Sequence, residues 1–145
     1  MFVENLTETI NLGSKFAQEL SPQSIVLLKG PIGAGKTSFV KGVARGLSIY
    51  EEITSPTFSL SHHYDSGKIP LIHLDLYRLE SSLTAKEFYI SEEEEANLKM
   101  AIIIIEWPDL IQPIIDDFWK IEISYAKNYG RNYKIWDPKN SLTFE

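Results

Sequence analysis

Cysteine is absent from this 145-residue sequence, which excludes disulfides, zinc–thiolate sites and thiol catalysis. No apolar run approaches the roughly 18 residues that would span a bilayer. Met1-Phe2-Val3-Glu4-Asn5 has no basic stretch leading into an apolar core, so no secretory signal is expected, and the early Glu4 and Glu8 argue against a transit peptide. The expected location is the cytoplasm. Positive charge is scarce: 14 Lys and Arg face 20 Asp and Glu, a net charge of −6. Such a chain is ill suited to gripping nucleic acid by itself, because that attraction needs clustered cations against phosphates; any RNA is expected to be held by a partner. Repeats and low-complexity linkers are also missing. One domain over residues 1–145 is expected, with 43% hydrophobic residues to fill its core.

What is present divides into helices early and strands late. Thr7 to Leu20 reads as a helix, with Asn5 as cap, Glu8 completing a capping box, and Leu12, Phe16 and Leu20 on one face. Ile25-Val26-Leu27-Leu28 suits a strand buried on both sides, and Thr37 to Leu47 reads as the next helix. Thr57 to Tyr64 and Ile69 to Arg78 read as strands of a hairpin joined by Asp65-Ser66-Gly67-Lys68. Thr84 to Lys99 reads as a poorly capped helix, with Glu92 to Glu95 a solvated face. Ala101 to Ile105 reads as a central strand. Phe118 to Ala126, Arg131 to Trp136 and Ser141 to Phe144 complete a strand-rich C-terminal half. The fold class is α/β, a P-loop NTPase-like mixed sheet flanked by helices.

Between the first strand and the second helix lies Gly30-Pro31-Ile32-Gly33-Ala34-Gly35-Lys36-Thr37. The pattern G-x-x-x-x-G-K-T in a strand–loop–helix context is that of a phosphate-binding loop. Its glycines let successive N–H groups turn inward as an anion nest, and the following helix offers its positive end. The expected ligand is ATP with Mg²⁺: Lys36 at the β- and γ-phosphates, Thr37 through its hydroxyl on the metal. Such a site needs an acid at the end of a buried strand. Glu106 closes the apolar run 101–105, and Asp75 closes Leu71-Ile72-His73-Leu74. One would hold the metal and the other orient the attacking water; the residues alone do not assign which. Thr54-Ser55-Pro56-Thr57 follows. Its Ser55 and Thr57 hydroxyls suit a γ-phosphate switch, although Ser-Pro equally suits a simple turn before a strand.

In order along the chain, Gly30 to Thr37, Ser55-Pro56-Thr57-Phe58, His73-Leu74-Asp75-Leu76-Tyr77-Arg78, Glu106-Trp107-Pro108 and Gly130-Arg131 resemble the TsaE (YjeE) family of bacterial ATPases, which serve threonylcarbamoyl-adenosine formation in tRNA. The resemblance covers nearly the whole chain. It implies that Gly33, Ala34, Gly35, Lys36, Thr37 and Ser38 bind the phosphates and that Thr37 and Glu106 hold Mg²⁺. It also implies that Asp75 acts near the γ-phosphate, that Thr57 is a switch residue, and that Trp107 and Arg131 lie near the nucleotide. The segment from Leu6 to Thr9 would flank the adenine. The implied partners are TsaD and TsaB, with tRNA engaged only through them and no membrane. One departure is the absence of glycine between Lys86 and Glu95, where many family members carry one before the Glu-Trp strand.

Three rival readings are open. A small-molecule or nucleotide kinase would need cations on a lid, and the chain has only Arg45, Arg78 and Arg131. A GTP switch would need an Asn/Thr-Lys-x-Asp element, which Ala126-Lys127-Asn128-Tyr129 does not supply. A binding module would hold ATP without useful turnover.

Overall fold

Four successive isoleucines leave a strand no polar side, so it must be covered on both faces. In the computed structural model, which describes residues 1–144, they form β5 (Ile102–Glu106), buried along its whole length. Each isoleucine so buried contributes roughly 1.5–3 kcal/mol. Parallel strands flank it: β2 (Ile25–Lys29), with Val26 opposite Ile104, and β4 (Leu71–Asp75), with Asp75 opposite Glu106. On the far side of β2 runs β6 (Trp119–Tyr125), also parallel.

Around this parallel centre the pairing turns antiparallel. β3 (Ser61–Tyr64) closes one edge against β4. β7 (Arg131–Trp136) pairs with β6, and both β1 (Phe2–Val3) and β8 (Leu142–Thr143) lie along β7. The order is β1-β7-β6-β2-β5-β4-β3, the mixed α/β sheet with a strand-rich second half that the sequence pattern predicts.

Strand alternation sorts the core into two layers. Val26, Leu28, Ile102 and Ile104 face α1 (Leu6–Phe16) and α2 (Lys36–Gly46). Leu27, Ile72, Ile103 and Ile105 face α3 (Ser82–Lys99), which contributes Ala85, Tyr89 and Ala96. α1 and α2 touch backbone to backbone: a Cβ at Gly42 would collide with the Ile10 carbonyl, and one at Gly13 with the Phe39 carbonyl. This seam fixes α2, and with it the loop that α2 caps. Among the described residues no helix is long and apolar enough to cross a membrane.

Several boundaries differ from expectation. The first helix stops at Phe16 and tightens into a 3₁₀ turn over Ala17–Glu19, because Leu20 must turn extended to bury its side chain. Its cap is as expected at Asn5, which accepts from Glu8 N at 3.0 Å, but Glu8 reaches back to Glu4 N at 2.6 Å rather than to Asn5. Thr57 to Leu60 is a turn, not strand: Leu60 takes φ +68° and its N–H bonds Pro56 O at 2.8 Å. The hairpin link runs to Pro70, since Lys68 N–H is committed to Leu47 O at 2.8 Å. β4 ends at Asp75, whose side chain accepts from Tyr77 N at 3.0 Å. α3 is capped after all: Ser81 Oγ accepts from Thr84 N, and Met100 closes it at φ +58°. Only half of its acidic run is free. Glu94 and Glu95 are exposed, whereas Glu93 accepts from Tyr89 Oη at 2.6 Å and Glu92 pairs with His63 at 2.7 Å. The two-residue β1 has too little periodicity to be read from sequence.

Candidate functional site

The carboxyl ends of β2, β4 and β5 open on one edge of the sheet, where ligand crevices form in parallel α/β folds. β2 delivers the chain into the loop 30–37. There Gly33 and Gly35 adopt φ +78° and +98°, conformations that β-carbon-bearing residues resist. These turns aim backbone N–H groups inward and set Gly35 as the cap of α2, whose first turn begins at Lys36. The result is a concave anion site at a helix N-terminus.

Lys36 is 94% removed from solvent (6% exposed) and folds back over the loop, donating to Gly30 O at 2.7 Å and Pro31 O at 2.9 Å. Its Nζ also sits 4.4 Å from the Trp107 ring centroid. Burial lowers the ammonium's pKa from its ordinary value, and the charges of Glu106 and Asp75 partly offset this.

Parallel register brings the two acids side by side. Asp75 and Glu106 are partners across β4 and β5, with 6% and 3% of their surfaces exposed. They lie on the α2 face, two residues beyond His73 and Ile104 respectively. Each is held differently. Asp75 accepts from Ser55 Oγ at 3.2 Å and Tyr77 N at 3.0 Å, and Ser55 Oγ also meets Thr57 Oγ1 at 2.9 Å. Through this relay the segment 54–57 is wired to the acid. Glu106 takes a 2.5 Å hydrogen bond from His73 Nε2. Trp107, the next residue, takes φ +56° and packs on Tyr77 with ring centroids 4.8 Å apart.

The sequence-predicted residues gather along the loop in three adjoining hollows. One, of about 270 Å³, holds Lys36, Thr57, Asp75, Glu106 and Trp107. A second, of about 310 Å³, holds Lys36, Thr37, Ser38 and Glu106. The third, of about 220 Å³, holds Leu6, Thr9, Ala34, Gly35, Ser38 and Arg131. Gly33 lines all three. The lining fits a nucleotide with a divalent metal: an amide nest and a lysine for phosphates, and buried carboxylates beside a hydroxyl for a hard cation. Arg131 fastens the loop as well as lining the third hollow, since Nε donates to Ala34 O at 3.2 Å and an Nη to Gly33 O at 3.1 Å.

Sequence reasoning passed over three members of the site. His73 has no role in the sequence reading beyond its place in the run His73 to Arg78, although the two-residue step to Asp75 puts both on one face. Tyr125 stacks on the Arg131 guanidinium at 4.6 Å and donates through Oη to Ile32 O, a contact set by β6–β7 pairing. Tyr129, almost fully exposed, lines the third hollow from a turn with φ +62°. Neither tyrosine carries a local signal beyond its nearness to Gly130-Arg131.

Comparison with known proteins bears on the family and the fold. A sequence model of the family described as threonylcarbamoyl adenosine biosynthesis protein TsaE matches residues 3–133. A tRNA threonylcarbamoyladenosine biosynthesis protein TsaE from a Nostoc species is 37% identical over 93% of this chain and 83% of its own length. One of the same name from a Synechocystis species is 43% identical, over 74% of this chain and 69% of its own. The crystal structure of YdiB from Bacillus subtilis superposes with a TM-score of 0.74 at 28% identity, covering 92% of this chain and 80% of that one.

Proposed function

This chain belongs to the TsaE family, and from that premise we propose that it is a Mg²⁺-dependent ATPase that supports threonylcarbamoyl-adenosine modification of tRNA by acting on a TsaB–TsaD complex in the cytoplasm. The observation that carries the reading is the opposition of a glycine amide nest to two buried carboxylates on adjacent parallel strands. In this reading the amides of residues 33–38 and the Lys36 ammonium bind the phosphates, with Lys36 released from Gly30 O and Pro31 O as it turns to them. Thr37 and Glu106 hold the metal, which when bound neutralises charge developing on the phosphate oxygens. Asp75 serves the attacking water, and its link through Ser55 to Thr57 ties that acid to a segment able to respond to the γ-phosphate. The hollow beside Leu6, Thr9 and Arg131 receives the adenine.

The division of labour fits the charge. A chain of net charge −6 works on proteins more readily than on RNA phosphates. The kinase alternative loses further ground because two of the three arginines are committed: Arg131 to loop carbonyls, and Arg78 over the Phe58 ring at 4.1 Å. The test is ATP hydrolysis and tRNA modification with purified TsaB and TsaD, with and without this chain. Slow hydrolysis alone, stimulated turnover in the mixture and modification that depends on the chain are expected. If the mixture changes neither rate nor affinity, the partner role is lost. Transfer of phosphate to a small acceptor would favour the kinase.

A further inference from the structure

His73 has no surface exposed, an unusual place for an imidazole, and it is not among the groups that the proposed chemistry uses. Its Nε2 lies 2.5 Å from Glu106 Oε2, while its Nδ1 has no hydrogen-bond partner among the described residues. A carboxylate oxygen only accepts, so the proton in this bond belongs to Nε2. A proton at Nδ1 instead would be a buried donor facing nothing. The ring is thus a single-purpose donor, fixed by strand geometry: β4 and β5 pair in register with His73 opposite Ile104 and Asp75 opposite Glu106. The bond therefore runs diagonally along one face of the sheet.

We propose that His73 is a positioning residue for Glu106, occupying Oε2 so that the carboxylate presents Oε1 alone toward the loop hydroxyl of Thr37. This rests on the nucleotide–metal reading of the site. Without the imidazole, the Glu106 carboxylate would be free to rotate and to offer either oxygen. A ligand turned in advance costs no reordering when the metal arrives, and losing such an outer partner typically weakens a metal site about 10–100-fold.

The test compares His73→Leu, His73→Gln and His73→Asn with the unaltered chain. Affinity for a non-hydrolysable ATP analogue is measured by calorimetry in Mg²⁺ and again in EDTA. Gln places an amide donor where Nε2 stands; Asn reaches only as far as Nδ1. The expected result is that Leu and Asn lose about tenfold of the Mg²⁺-dependent gain in affinity, that Gln stays close to the unaltered chain, and that affinity in EDTA is the same for all. The Gln–Asn pair, both polar, keeps the comparison independent of how well the Leu variant folds. A ¹⁵N spectrum of the apo chain should show the His73 ring protonated at Nε2 and bare at Nδ1. Equal behaviour of Gln and Asn, a Leu variant with full Mg²⁺ dependence, or the opposite tautomer each overturns the role while leaving nucleotide binding intact. Failure of the unaltered chain to bind the analogue in either buffer brings down the nucleotide reading and this role together.

Discussion

On one side of the phosphate loop the candidate site's side chains are buried and fixed; on the other they range from buried Thr9 to solvated Leu6 and Tyr129 and come from a helix, a strand and a turn. Asp75, Glu106 and His73 project from neighbouring parallel strands, each with a hydrogen-bond partner and almost no exposure. Leu6 is 61% exposed and Tyr129 is 95% exposed, the first at the start of α1 and the second in a turn between strands. The difference follows from what each side would do. Charge stabilisation requires groups aimed in advance and kept from water, whereas a nucleobase is gripped largely by contact area, which adaptable side chains supply. The loop itself belongs to both sides, tied by Arg131 to β7 and by the α1–α2 seam to the core.

Substitutions on the buried side should therefore strike turnover, and those on the exposed side affinity alone. The largest effect is expected for Lys36→Ala, which removes a charge-assisted contact of about 1.5–3 kcal/mol; calorimetry should find ATP affinity down by roughly 10–100-fold and hydrolysis near background. Glu106→Gln keeps the shape but not the charge, and should cut hydrolysis about 100-fold while leaving the melting temperature within a few degrees. Unchanged Mg²⁺ dependence in this variant would remove Glu106 from the metal. Gly42→Ala presses a methyl group into the Ile10 carbonyl across the helix seam. It should cost about 1–3 kcal/mol in denaturant unfolding with little change in turnover per folded molecule. The smallest effect is expected for Leu6→Ala: nucleotide affinity weaker by about fivefold, as for about 1 kcal/mol of lost apolar contact, with maximal turnover unchanged. A Leu6→Ala variant that lost turnover instead would erase the distinction between the sides.

The buried side was largely legible in the sequence because its rules are local. Glycines at fixed spacing announce a loop that needs positive φ, and an acid at the end of an apolar run announces a strand end at a sheet edge. The pairing of Glu106 with Asp75 was legible only as two separate candidates, since register between β4 and β5 is a property of the folded sheet. His73 was hidden for the same reason. On the other side of the loop, Leu6, Thr9 and Arg131 carried meaning only through family resemblance, because more than 120 residues separate Thr9 from Arg131 and no local pattern joins them. Boundaries shifted where a tertiary bond outbid the local pattern, as at Lys68, whose N–H goes to Leu47 rather than to a tight hairpin turn.

The claim on which the rest depends is that the loop 30–37 encloses the phosphates of a nucleotide together with a metal. Calorimetry of the folded chain with a non-hydrolysable ATP analogue tests it directly. One analogue bound per chain, tighter with Mg²⁺ than with EDTA and lost in Lys36→Ala, is the expected result; no heat of binding in either buffer would contradict it.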